Sequence, residues 1–213
     1  MDARCFTVGP VAENCWIVRR DGATRALIVD PGDEADRLLE AVDALSVEVE
    51  AILLTHTHFD HVGAVAPVAR ATGAPVYCPE LEVEVLADIM AWVPWPGFGP
   101  FESYEADHVL AGGERLSIAG FDIDVLFTPG HSPGHVTFSI PDEQVVFSGD
   151  VLFQGSVGRT DLPGGDHGTL LASIGELLRT LPDDTRVHPG HMGMTTLARE
   201  RATNPFLQAD AVQ

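Results

Sequence analysis

The chain has 213 residues, 45% hydrophobic and 21% charged, which suits one soluble globular domain over residues 1–213 with a substantial core. Twelve basic residues against 32 acidic ones give a formal charge of −20. That balance excludes nucleic acid and anionic membrane surfaces as expected partners, since both demand basic patches. In chain order, residues 4–8 and 14–19 read as the first strands of a sheet, with Gly9-Pro10 between them. Arg25 to Val29 makes a third strand that stops at Asp30-Pro31-Gly32. Asp33 to Ala44 has helical spacing (Ala35, Leu38, Leu39, Val42), with Asp33 as the expected N-cap.

The apolar run Ala51-Ile52-Leu53-Leu54 reads as a buried strand and leads straight into Thr55-His56-Thr57-His58-Phe59-Asp60-His61. Alternate side chains of an extended segment point the same way, so His56 and His58 can aim at one point. Where the chain turns away, Asp60 and His61 address a second point beside the first. Neutral imidazole and carboxylate suit zinc first, with iron or manganese as alternatives. A satisfied polar loop explains any single histidine, but it explains four such residues at this spacing poorly.

A small-residue helix is expected over 63–72, with Pro67 in its first turn and Gly73 ending it. A strand over 74–78 and one more helix from Leu81 to Met90 follow. Residues 91–108 hold three prolines, two glycines and the aromatics Trp92, Trp95, Phe98 and Phe101. They are expected to form an irregular loop that is pinned on the core, walls a pocket, or does both. Strands at 115–118 and 121–127, a hairpin of 136–140 with 144–147 around Pro141-Asp142, a helix over 170–181, a strand at 185–187 and a helix over 195–202 complete the chain.

Apolar strands that end abruptly in glycine plus a ligand-type residue recur in this half: Phe127-Thr128-Pro129-Gly130-His131, Phe147-Ser148-Gly149-Asp150 and His188-Pro189-Gly190-His191. Glycine permits tight turns that bring such residues to a shared rim. His135 is expected to be structural, His188 a weak competitor of His191, and His108 and His167 surface residues, while Asp30 is placed to orient a ligand imidazole. Cys5, Cys15 and Cys78 lack CxxC spacing and are expected to be reduced, buried thiols. Met1-Asp2-Ala3-Arg4-Cys5 is not a signal-like start and no apolar window of about 18 residues follows, so the expected location is the cytoplasm.

Taken together, THTHFDH at 55–61 with the distant His131, Asp150 and His191 resembles the metallo-β-lactamase fold superfamily. The likeness runs along essentially the whole chain. Gly158-Arg159-Thr160-Asp161, Pro189-Gly190-His191 and the closing stretch from Thr195-Thr196 through Glu200 to Phe206 resemble its glyoxalase II-like short bacterial members. The resemblance implies an α/β fold, a four-layer αββα metallo-β-lactamase-like sandwich. It implies two divalent metal ions, one held by His56, His58, His131 and Asp150 and the other by Asp60, His61, Asp150 and His191, with Asp150 bridging and Asp60 and Asp150 serving catalysis. The implied reaction is hydrolysis, most readily of a small acyl thioester, by a metal-bridging hydroxide. Full-length glyoxalase II proteins add a basic C-terminal region for glutathione that has no counterpart here, so a strict glutathione requirement is not expected. Arg159, Arg199 and Arg201 are the cations near the motifs. Two other outcomes are weighed: a mononuclear iron persulfide dioxygenase on His56, His131 and Asp150, and a metal-loaded module that binds without catalysis.

Overall fold

The computed structural model describes residues 1–208. Two six-stranded sheets face each other, with helices on both outer sides. The first holds β1 (Asp2–Val8), β2 (Glu13–Arg19), β3 (Arg25–Val29), β4 (Glu48–Leu53), β5 (Val76–Pro79) and β6 (His108–Leu110) in that spatial order. β1 to β3 are antiparallel and β3 to β6 parallel. The second runs β14 (Thr195–Thr196), β13 (Arg186–Pro189), β10 (Val145–Gly149), β9 (Val136–Ile140), β8 (Phe121–Phe127) and β7 (Arg115–Ile118), and a small ribbon of β11 (Leu152–Phe153) and β12 (Ser156–Val157) follows β10.

Period-two alternation explains the layers. Leu27, Val29, Ala51 and Leu53 meet Val125, Phe138, Val145 and Phe147 between the sheets. Their neighbours Ala26, Ile28, Ile52 and Leu54 pack outward on α1 (Ala35–Leu45) and on α3 (Val65–Thr72), which follows the single turn α2 (Phe59–Val62). A strand covered on both faces must be apolar at every position, which is why 51–54 reads as an unbroken run. On the far side, Val146 and Val187 pack on Leu170, Ile174 and Leu177, one face of a later helix, His167–Thr180. Each such fully buried side chain contributes about 1.5–3 kcal/mol.

Three expectations about the helices need correction. The helix after β3 starts at Ala35 behind a left-handed Glu34 (φ 52°), not behind Asp33. The Glu34 carboxylate is drawn away to accept from the Gly9 N–H and to pair with Arg37. The single helix over 81–90 breaks into a 3-10 turn (Glu80–Glu82), α4 (Val83–Ala87) and α5 (Ile89–Trp92). The cause lies in the following loop: Ser103 Oγ accepts from the Ile89 N–H and the Tyr104 N–H donates to the Leu86 carbonyl, so helical bonds are replaced by loop contacts. The last two helices also shift. α6, the His167–Thr180 helix, begins three residues early because Asp166 caps it, accepting from Thr169 N–H at 2.7 Å. α7 (Leu197–Thr203) begins late because β13 takes Thr195–Thr196 as a ladder partner.

Between α5 and β6 the chain is irregular, as its prolines and glycines require. Phe98 and Phe101 stack on Phe59 (ring centres 4.8 and 5.7 Å), while Trp92 and Trp95 line a cavity. The loop therefore both packs on the core and walls a pocket. Among the described residues no helix is long and apolar enough to cross a membrane, and all three cysteines are free thiols, Cys15 and Cys78 buried as expected but Cys5 exposed on the edge strand β1.

Candidate metal centre

Every sequence-selected residue sits at a strand end on one edge of the sandwich. The segment after β4 carries His56, His58, Asp60 and His61; the turns after β8, β10 and β13 carry His131, Asp150 and His191. Two turns tolerate only glycine. A Cβ on Gly130 (φ 132°) would lie 2.2 Å from the Leu170 nitrogen, and one on Gly149 (φ 47°) would lie 2.3 Å from Thr55 Oγ1. A side chain at either place would push its loop away from the edge.

The donors fall into two groups that meet at Asp150. His56 Nε2, His58 Nδ1 and His131 Nε2 form a triangle with sides of 2.8–3.2 Å. Asp60, His61 and His191 form the second group, with His191 Nε2 at 3.2 Å and His61 Nε2 at 3.9 Å from Asp60 Oδ2. Asp150 Oδ2 lies 3.5 Å from both His131 Nε2 and His191 Nε2, and Oδ1 lies 3.3 Å from His61 Nε2.

Tautomers follow from partners that can only accept. The carbonyl of Arg159 takes the His131 Nδ1 proton (2.8 Å), that of Ala12 faces His191 Nδ1 (3.3 Å), and Asp30 Oδ2 takes that of His61 Nδ1 (3.0 Å). Thr55 gives its hydroxyl proton to Asp30 Oδ2 (2.6 Å), so its oxygen is left to accept from His56 Nδ1 (3.1 Å). Four Nε2 lone pairs thus point inward together with two carboxylates. His61 Nε2 and Asp150 Oδ1 are buried and have no hydrogen-bond partner. Bare lone pairs crowded at about 3 Å repel, and a cation between them is the arrangement that removes the repulsion. The residues fit divalent metal.

Charge follows the same division. Burial first, then the neighbouring His131, lowers the His58 pKa to about 3, and burial with His61 close by holds His56 well below its ordinary value. Both stay neutral and ready to donate. For Asp150, burial opposes ionisation, but His61 and His191 outweigh it and pull the carboxyl far below the usual range. Burial also opposes charge on His61 and His191, yet the Asp150 and Asp60 carboxylates raise both. Without a cation the second group takes up protons instead, and metal entry releases them.

The other histidines lie apart from this set. His135 Nε2 accepts from the Asp150 N–H (3.1 Å) and its Nδ1 faces Thr128, so its lone pair is spent on the backbone of the bridging residue. His188 is wedged between Trp16 and Phe147 (4.5 and 5.1 Å), where burial lowers its pKa to about 4. His108 and His167 are exposed. Asp30 does orient His61, as its place at a strand end suggested.

Two acids escaped the sequence reading. Glu82 is 3% exposed and accepts from Thr57 Oγ1 (2.8 Å), Ser132 Oγ (2.7 Å) and Gly134 N–H (2.8 Å), joining the two loops that form the triangle. Glu13 lies fully buried behind His61, its Oε1 3.8 Å from Nδ1; burial, with Asp30 and Asp60 nearby, raises its pKa well above the ordinary value. Neither stands in a recognisable motif, so only the fold exposes them. Glu82→Ala is expected to leave two buried donors, Ser132 Oγ and the Gly134 N–H, unpaired while Thr57 falls back on the residue 82 carbonyl, and to weaken retention of one metal equivalent about tenfold, with Glu82→Gln recovering most of it. Metal titration against a competing chelator reads both.

A family model described as the metallo-beta-lactamase superfamily matches residues 8–191. The chain is 42% identical over 212 residues to the probable metallo-hydrolase YqgX of Bacillus subtilis (strain 168), covering 97% of this chain and 98% of that protein. It is 36% identical over 211 residues to the hydroxyacylglutathione hydrolase GloC of Haemophilus influenzae, covering 98% and 99%. Among solved structures, the BLEG-1 B3 metallo-beta-lactamase superposes with TM-score 0.92 at 41% identity, covering 98% of this chain and all of that one. TTHA1623 in a di-iron-bound form gives 0.86 at 45%, covering 96% and 100%.

Proposed function

The chain belongs to the metallo-β-lactamase superfamily, and from that membership we propose a metal-dependent hydrolase that cleaves an acyl thioester at a binuclear site. The two donor groups meeting at Asp150 carry this reading, because a carboxylate whose Oδ2 lies within 3.5 Å of a donor from each group is what a pair of cations needs between them. His56, His58, His131 and Asp150 would hold the first ion; Asp60, His61, Asp150 and His191 would hold the second. Zinc heads the proposal, and the di-iron form of TTHA1623 keeps iron in view. When bound, such ions acidify a water to near neutrality and stabilise negative charge on a carbonyl oxygen.

The protein's own residues set the rest. Asp30, Arg159 and Ala12 fix the ring orientations through Nδ1, so donors do not reorganise during turnover. Asp60 and Asp150 would carry the negative charge that retains the ions and would orient a water beside them. The cleft above them admits a small molecule, and Trp92 to Trp95 of the irregular loop form part of its wall. A thioester suits the site because a thiolate leaves without needing a proton. The likeness to BLEG-1 favours a second substrate, the strained amide of a β-lactam.

Elemental analysis on the sample used for an activity screen tests the proposal. Two metal equivalents per chain with thioester hydrolysis are expected. One iron with oxygen consumption on a persulfide would select the dioxygenase, hydrolysis of β-lactams alone would select the amide, and no turnover with metals bound would leave a binding module.

A further inference from the structure

We infer that the substrate is a thioester whose acyl group is apolar and whose thiol carrier lacks carboxylates; this rests on the thioester reading above. The cleft that opens onto Asp60, Asp150 and His191 has a volume of ≈ 970 Å³, room for a whole small molecule. Its walls come from Leu81 and Val85, from Trp92 and Trp95, and from Phe153 and Met192. Leu81, Trp92 and Met192 remain 53–61% exposed. Large apolar side chains left in water around a cleft mouth gain most from an apolar guest.

The charges point the same way. All twelve basic residues of the chain are arginines, against 32 acids. Of these only Arg159 lines the cleft. Its guanidinium is committed: Nε and Nη2 donate to the two oxygens of Asp161 (2.6 and 2.8 Å), and its centre lies 5.3 Å from the Trp95 ring centre. Arg201 pairs with Asp183, and neither it nor Arg199 lines the cleft. Glu82 brings a further carboxylate to the wall, its oxygens already occupied by Thr57, Ser132 and Gly134. Ions at Asp150 would serve the reacting carbonyl, yet a carboxylate out on the thiol arm would meet no unpaired cation and a repelling field. A glutathione arm carries two such carboxylates.

The test compares thioesters that share one acyl group on N-acetylcysteamine, which is neutral, and on glutathione. It then lengthens the acyl chain from acetyl to hexanoyl on the neutral carrier. The expected kcat/KM is at least tenfold higher on the neutral carrier and rises about three- to fourfold per added methylene. Asp161→Ala should free Arg159 and raise only the glutathione thioester's kcat/KM. Preference for the glutathione thioester, or a rate flat in chain length, overturns this inference while leaving thioester hydrolysis standing. Absence of turnover on every thioester overturns both.

Discussion

Replacing Asp150 with alanine is expected to strip both metal equivalents and lower kcat/KM by about three orders of magnitude or more, since several kcal/mol of charge stabilisation go with the ions. Among the described residues Asp150 is the one side chain within 3.5 Å of donors in both groups, at His61, His131 and His191. Without it, His61 and His191 lose the counter-charge that steadies them, and the two proposed ions would lose their bridge. Asp150→Asn keeps the shape and halves the problem to charge alone, so a folded but metal-poor Asn variant would separate coordination from misfolding. Asp60→Ala should weaken mainly the second ion, because Asp60 stands against His61 and His191 and not within the His56–His58–His131 triangle. Full metal content in the Asp150 variants would end the bridging assignment.

Asp30→Asn should fold and yet retain metal about 10- to 100-fold more weakly. Asp30 sits in a left-handed conformation (φ 50°) that asparagine also adopts readily. Its Oδ1 accepts from the Thr55 N–H (2.7 Å), which the amide oxygen can still do. Its Oδ2 accepts from both Thr55 Oγ1 and His61 Nδ1, and there an NH2 group would donate instead. His61 must then expose N–H at Nε2. Thr55, relieved of its own proton acceptor, can turn its hydroxyl to His56 Nδ1 and reverse that ring as well. One exchange of oxygen for nitrogen would aim two protons at the place where lone pairs are needed. Asp30→Ala goes further, stranding the buried Thr55 N–H and His61 Nδ1–H at about 1–3 kcal/mol each, and should show as a lowered Tm. Metal titration with thermal melts of both variants checks the distinction. Unchanged affinity in Asp30→Asn would show that the tautomers are set elsewhere.

The site was legible because its chemistry is local in sequence. His56 to His61 follow an apolar strand without interruption, and the other three donors each follow a strand and a glycine. The layers were legible for a related reason: runs such as 51–54 that are apolar at every position can only be covered on both faces. What escaped reading depended on distant partners. Nothing in 81–90 announces that Ser103 and Tyr104 will claim its backbone groups. Glu34 abandons its own helix for the Gly9 N–H, 25 residues earlier. Glu82 looks like one more surface acid in an acidic stretch until Thr57 and Ser132 close over it. His188 and His191 differ little on paper, and only the wedge of Trp16 and Phe147 takes His188 out of reach.

The proposed donors are divided by origin: four hang from the first sheet, after β4, and three from the second, after β8, β10 and β13. Ions seated among them would act as rivets through the sandwich, and their grip would add to its cohesion by mass action, about 4 kcal/mol at a thousandfold excess over Kd. Neither half can build the seat alone. Loading of the second ion, which takes His191, would therefore wait until β13 has joined its neighbours, which makes its capture a late event and a seal on correct assembly.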